Sequence, residues 1–121
     1  MFTHILVPTD LTERSLKSFE IALKMAMNQA CEVTLLHVIE TIDDTEGNEF
    51  QEFYRKLEKR AVRRMEQIVT LYPECEKIVR REIIYGKRVR EIVRYAKETD
   101  IDLIILSSHR IDVREIGRAH V

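Results

Sequence analysis

An acidic residue closes the first apolar run of the chain, His4-Ile5-Leu6-Val7-Pro8-Thr9-Asp10. A short buried strand that stops at an acid and feeds an amphipathic segment is how an open α/β sheet begins. Ligands of such sheets sit at the carboxyl ends of the strands, where Asp10 would stand. Its carboxylate can face a ligand there, cap the next helix against the free N–H groups, or do both. Near the other end, Ser107, Ser108 and His109 put two hydroxyls beside an imidazole. Residues adjacent in sequence seldom form a nucleophile–base pair, and no G-x-S-x-G elbow surrounds them, so catalysis finds little support.

The other reactive types are more sparsely placed. Cys31 and Cys75 have no metal-ligand spacing and flank expected strands, which reads as free, partly buried thiols in a reducing cytosol. The four histidines form no metal constellation. His37 alternates with apolar neighbours and is expected to be a hydrogen-bonded core residue, while His109 falls at the mouth of the expected site. The densest basic run, Arg55-Lys56, Lys59-Arg60 and Arg63-Arg64, lies along one side of a helix. Glu49, Glu52, Glu58 and Glu66 are close enough to neutralise part of it through i,i+3 and i,i+4 pairs. A solvated, salt-bridged face is the expectation, and no interleaved aromatics supply the stacking platforms of a nucleic-acid surface.

The elements that must position these residues follow from periodicity. After the first strand, Leu16, Phe19, Leu23, Ala26 and Met27 recur at helical spacing, with Thr12 as N-cap and an end near Asn28. Glu32 to Ile39 is a β-branched apolar run, and Glu40 to Asn48 has loop composition. Tyr54, Leu57, Ala61, Met65, Ile68 and Tyr72 step by three or four along a helix that starts at Glu49 and ends at Pro73. Lys77 to Tyr85 reads as a third strand whose charged centre suits an edge. Gly86 opens a helix with Val89, Ile92, Val93 and Ala96 on one face. Asp102 to Ser107 is a fourth strand, continuously apolar and so expected to be buried on both faces. The order β-α-β-α-β-α-β means a parallel, doubly wound α/β sheet with right-handed crossovers and helices on both sides.

Composition sets the outer limits. The 121 residues are one domain on size, 45% apolar and 34% charged, with a net charge of −1. That balance gives no global pull toward nucleic acid or anionic membrane. No stretch approaches the roughly 20 apolar residues of a membrane span. The N-terminus does not read as a signal peptide, because Pro8 and Asp10 close its short apolar run.

The residues resemble the universal stress protein (UspA-like) family. The segments HILVPTDLTERSLKSFEIALKMA, EVTLLHVIE and REIIYGKRVREIVRYAKETDIDLIIL, and the SSH that follows, match it in order over nearly the whole chain. The resemblance implies a Rossmann-like, adenine nucleotide alpha-hydrolase-like fold with strand order 3-2-1-4-5, usually as a homodimer. It also implies a cytoplasmic protein that accumulates under stress. Some members bind ATP, a few hydrolyse it slowly, and others bind no nucleotide.

Carried over by position, the adenosine site of the ATP-binding members falls on Pro8, Thr9, Asp10 and Val38. Their phosphates are held by a glycine-rich loop after strand four, G-x2-G-x9-G-[ST], whose backbone N–H groups face the phosphates. This sequence departs from it at every glycine: Ser107 and Arg110 take the first two places, and His120 and Val121 the last pair. Gly117 falls three places early. Arg110 could meet a phosphate as a charge, and His109 could contact a ligand. The adenine half of the site is present and the phosphate half is not.

The family also continues with a further helix and a fifth strand, where this sequence stops at Val121. A C-terminally short, four-stranded sheet would leave Leu103-Ile104-Ile105-Leu106 as an apolar edge. Truncation, pairing with a second chain, or shielding by the residues after Ser107 are the three outcomes, the first two favouring a homo-oligomer. Three functions follow: a self-associating, regulatory stress-response module; an ATP-binding member, taking ATP with magnesium and with at most slow hydrolysis; and a small adenine-nucleotide enzyme on a related fold. The last would need a phosphate loop near Asp10, and Leu11-Thr12-Glu13 supplies none.

Overall fold

The computed structural model describes residues 2–42 and 50–107. Among them four parallel strands lie in the order β3-β2-β1-β4: β1 His4–Pro8, β2 Glu32–Glu40, β3 Val79–Gly86 and β4 Leu103–Ile104. Helices α1 (Leu16–Ala26), α2 (Gln51–Thr70) and α3 (Arg88–Glu98) make the crossovers. The sheet is the α/β arrangement expected from the alternation of patterns, and the order of its four described strands is the one the family resemblance implies. β1 takes an interior place because Ile5, Leu6 and Val7 offer no polar side to water, and all three are fully buried.

The two faces divide by the strand period of two. Ile5 and Val7 of β1, with Val33 and Leu35 of β2, pack against Phe19 and Ala22 of α1 and Met65 and Ile68 of α2. Leu6, Leu36 and Val38 turn to the opposite face, against Ile92, Tyr95 and Ala96 of α3. The first face is far better filled, and α3 contributes no fully buried residue. Cys31 and Cys75 are free and buried at the first face, where burial pushes both thiols up. Thiols so placed stay protonated at neutral pH.

Four local expectations are corrected. β4 is shorter than the run 102–107 and is not covered on both sides: Ile104 is 38% and Leu106 64% exposed. Its only strand neighbour among the described residues is β1, so Leu103 and Ile105 reach the first core while Ile104 and Leu106 do not. Thr12 precedes a short 3-10 turn, Glu13–Ser15, and makes no side-chain cap; its hydroxyl donates to Asp10 instead. α1 stops at Ala26, and Asn28 takes a left-handed φ of 64°. Finally, the acids of α2 serve its own basic residues only in the Glu52–Arg55 pair among the described residues. Glu66 pairs with Arg81 of β3 and Glu58 accepts from Tyr85, because the charged edge strand lies alongside. Glu49 lies outside the described residues.

Asp102 ties β4 to β1 at the amino end of the sheet. Its carboxylate accepts from Thr3 N at 2.8 Å, the Thr3 hydroxyl at 3.0 Å and His4 N at 3.1 Å. Those bonds, the one from Thr3 N foremost, hold its carboxyl below the ordinary 3.8. A carboxyl depressed by folding contributes stability above its unfolded pKa and loses it as pH falls through the lower folded one. Asp102→Asn is therefore expected to lower Tm at neutral pH, with the difference from wild type closing as pH falls below 3.8. Thermal melts across the acid range check this, and a difference independent of pH would contradict it.

Candidate functional site

The turn out of β1 is held from three sides. Thr9 N donates to Leu36 O at 2.8 Å, which extends the β1–β2 pairing by one residue. The Thr9 hydroxyl bonds Ser15 Oγ at 2.6 Å and accepts from Leu11 N at 2.9 Å, while the Ser15 hydroxyl donates to Thr12 O at 2.8 Å. With its single proton so used, Ser15 accepts from Thr9, and this buried network is satisfied. His37, half-buried at the end of β2, donates from Nδ1 to Thr9 O at 2.8 Å, the hydrogen-bonded role expected of it. A carbonyl can only accept, which fixes the proton on Nδ1. Arg64 of α2 donates from Nε to Leu11 O at 2.8 Å.

These partners hold Leu11 at φ 67°, a left-handed conformation that costs a non-glycine residue about 1–2 kcal/mol. Such strain persists only where the surroundings over-determine it. Its effect is to present Asp10, an exposed residue, at the carboxyl end of the sheet. Asp10 Oδ1 accepts from Thr12 N at 2.9 Å and the Thr12 hydroxyl at 2.5 Å. Partial burial pushes its carboxyl up, but those two bonds, its own backbone N–H and the Arg88 charge outweigh that and hold it below 3.8. It is a carboxylate at neutral pH, with one oxygen engaged.

Asp10 stands over a cleft of about 310 Å³. Pro8, Thr9, Asp10, Val38 and Ser107, five of the seven residues singled out in the sequence, line it together. His109 and Arg110 lie outside the described residues. Leu36, Val38, Ile92 and Leu106 give it apolar walls. Ser107, where the family pattern has glycine, hydrogen-bonds the Ser18 hydroxyl and donates to Arg14 O at 3.3 Å. No hydroxyl of the cleft is paired with a histidine side chain among the described residues.

Both charged lining residues besides Asp10, Arg14 and Arg88, were missed by sequence reasoning, as were Ser15 and the apolar Leu36, Ile92 and Leu106. Arg88 reaches the cleft because Gly86, at φ 145°, turns β3 directly into α3. A Cβ there would stand 2.6 Å from Glu91 Cγ. The rule that placed Asp10 at a strand's carboxyl end applies equally to the residues just after β3, and it would have found Arg88. Together the cleft offers a carboxylate acceptor, apolar walls and two guanidinium groups. Among the described residues no three His, Cys, Asp or Glu side chains gather as a metal site, and no helix is long and apolar enough to cross a membrane.

A doubly wound parallel sheet with a cleft at its carboxyl ends is the class that this fold and site define. The family model described as the universal stress protein family matches residues 1–118, and the chain belongs to that family. Among solved structures, hypothetical protein MJ0577 is 32% identical with a TM-score of 0.76, over 95% of this chain and 81% of that one. Universal stress protein UspA from Lactobacillus plantarum is 24% identical with a TM-score of 0.71, over 91% and 83%. A universal stress protein solved in complex with cAMP is 17% identical with a TM-score of 0.53, over 85% and 70%. None of the curated proteins compared matches the chain.

Proposed function

We propose that this chain is an adenine-nucleotide-binding universal stress protein, acting in the cytoplasm as a regulatory stress-response module with at most slow hydrolysis. The observation that carries the reading is the convergence of Pro8, Thr9, Asp10 and Val38 on one cleft that also holds Arg14 and Arg88. Asp10 accepts from the adenine edge or a ribose hydroxyl, and the Val38 wall packs on the ring. Arg14 and Arg88 supply charge toward a phosphate in place of the N–H cradle that the missing glycines would have formed. Asp10 is the one carboxylate among the described lining residues, so a magnesium ion would take most of its oxygen ligands from the phosphates. A universal stress protein solved in complex with cAMP supports a nucleotide as the kind of ligand.

Arg88→Ala separates the two halves of this site. AMP is expected to bind about fivefold more weakly, the scale of one exposed, screened charge pair, with adenosine unchanged. Calorimetric titration of both ligands reads the difference. Equal losses for AMP and adenosine would contradict a phosphate role for Arg88.

Self-association is a second reading with its own support, the exposed Ile104 and Leu106 at the β4 edge. Burying such an edge between two copies is one of the ways proteins cover unpaired strands.

A further inference from the structure

Asp10 and Val38 form a ridge, and on its other side a second cleft of about 660 Å³ opens between α2 and the carboxyl end of β2. Its floor is Leu57 and Ala61 of α2, and its charge comes from three arginines. Arg60 and Arg64 stand one turn apart on α2, and Arg88 borders both clefts. Arg64 is already aimed: Nε donates to Leu11 O at 2.8 Å and an Nη donates to Gln67 Oε1 at 3.3 Å. Both acceptors are neutral, so its charge is not compensated by a carboxylate among the described residues. Arg60 has no hydrogen bond or ion pair among the described residues. Of the three, Arg88 alone has an acidic partner among the described residues, Glu40 at 3.7 Å.

The charge count favours an anion. Among the described lining residues three guanidinium groups meet two carboxylates, Asp10 and Glu40, and Asp10 Oδ1 already accepts two bonds from Thr12. The planar donor fork of arginine matches the paired oxygens of a phosphate. We infer that this second cleft binds a phosphate group, gripped by Arg60 and Arg64 across the ridge from the adenosine site. The group arrives either as free phosphate or as part of a phosphate monoester.

The test is a titration of the isotope-labelled full chain with sodium phosphate at low ionic strength, followed by the amide signals of His37, Leu57 and Ala61. Saturable shifts at those amides are expected, with none from chloride at matched ionic strength. Arg60→Glu is expected to weaken the binding at least about tenfold, the loss of one charge-assisted hydrogen bond. Arg60 is exposed and makes no bond in the described fold, so this variant keeps its structure and its adenosine affinity. Phosphate that binds equally well with adenosine present identifies the free anion as ligand. A response to AMP alone, lost in Arg60→Glu, identifies a nucleotide's own phosphate reaching across the ridge. No saturable response to either, an unchanged response in Arg60→Glu, or shifts confined to Arg14 and Ser107 would overturn the proposal. The adenosine titration fails or succeeds separately.

Discussion

Asp10→Ala is expected to weaken adenine-nucleotide binding by roughly 1.5–3 kcal/mol, the worth of a hydrogen bond to a charged group. The carboxylate is held below 3.8 and is therefore ionised wherever the protein is used, with Oδ1 occupied by Thr12. Alanine removes both the ligand acceptor and the turn-forming bonds, so a second variant is needed. Asp10→Asn keeps an acceptor for Thr12 and loses the charge. If both variants bind less nucleotide while Asp10→Asn melts like wild type, the effect belongs to the ligand contact. An unchanged affinity in both would remove Asp10 from the site.

Phe19→Ala is expected to cost about 3–5 kcal/mol of folding stability, the range for truncating a buried aromatic. Phe19 is fully buried at the first face, where it meets Tyr72 edge-on with ring centroids 5.4 Å apart. It sits in a core built from two helices and three strands, with Leu103 of β4 packed against it, and these cannot all collapse into the space left behind. Tyr72 is tied in turn to Glu20 by a 2.7 Å hydrogen bond, which limits its movement into the cavity. Since single domains are stable by about 5–15 kcal/mol, a loss of this size takes a large share of the total. Denaturant unfolding measures it, and a loss below about 1 kcal/mol would mean that the core repacks freely.

The parts of the fold that could be read from the sequence are those in which one residue pattern decides one contact. Ile5-Leu6-Val7 has no polar side, so β1 had to be interior. The charged Arg80-Arg81-Glu82 suits only an edge, and β3 is at one. Where two elements must meet before the outcome is set, the pattern misleads. Leu103 to Leu106 looks like a buried strand on composition, yet at the margin of the described sheet Ile104 and Leu106 stay exposed. The glutamates of α2 match the basic residues of their own helix in spacing, but the crossover brings β3 alongside, and Glu58 and Glu66 turn to it.

The candidate site divides in the same way. Pro8, Thr9, Asp10 and Val38 follow from strand ends, and the structure brings them to one cleft. Arg14 joins them only through the turn at Ser15, which no local spacing announces, whereas Arg88 follows the end of β3 through the glycine turn at Gly86 and the strand-end rule reaches it. The pinning of the loop by His37 and Arg64 is still less legible, since each acts through a backbone carbonyl of a residue remote in sequence. Arg64 looks like one more charge on a solvated helix until Leu11 is seen beneath it.

The central claim, that the cleft under Asp10 holds an adenine nucleotide, is tested most directly by denaturing the purified protein and assaying the supernatant for released nucleotide. The emptied, refolded chain is then titrated with adenosine, AMP and Mg·ATP. Stoichiometric AMP or ATP in the supernatant, or saturable binding well below millimolar concentration, is the predicted result. No released nucleotide, and no binding of any of the three at millimolar concentration, would contradict it.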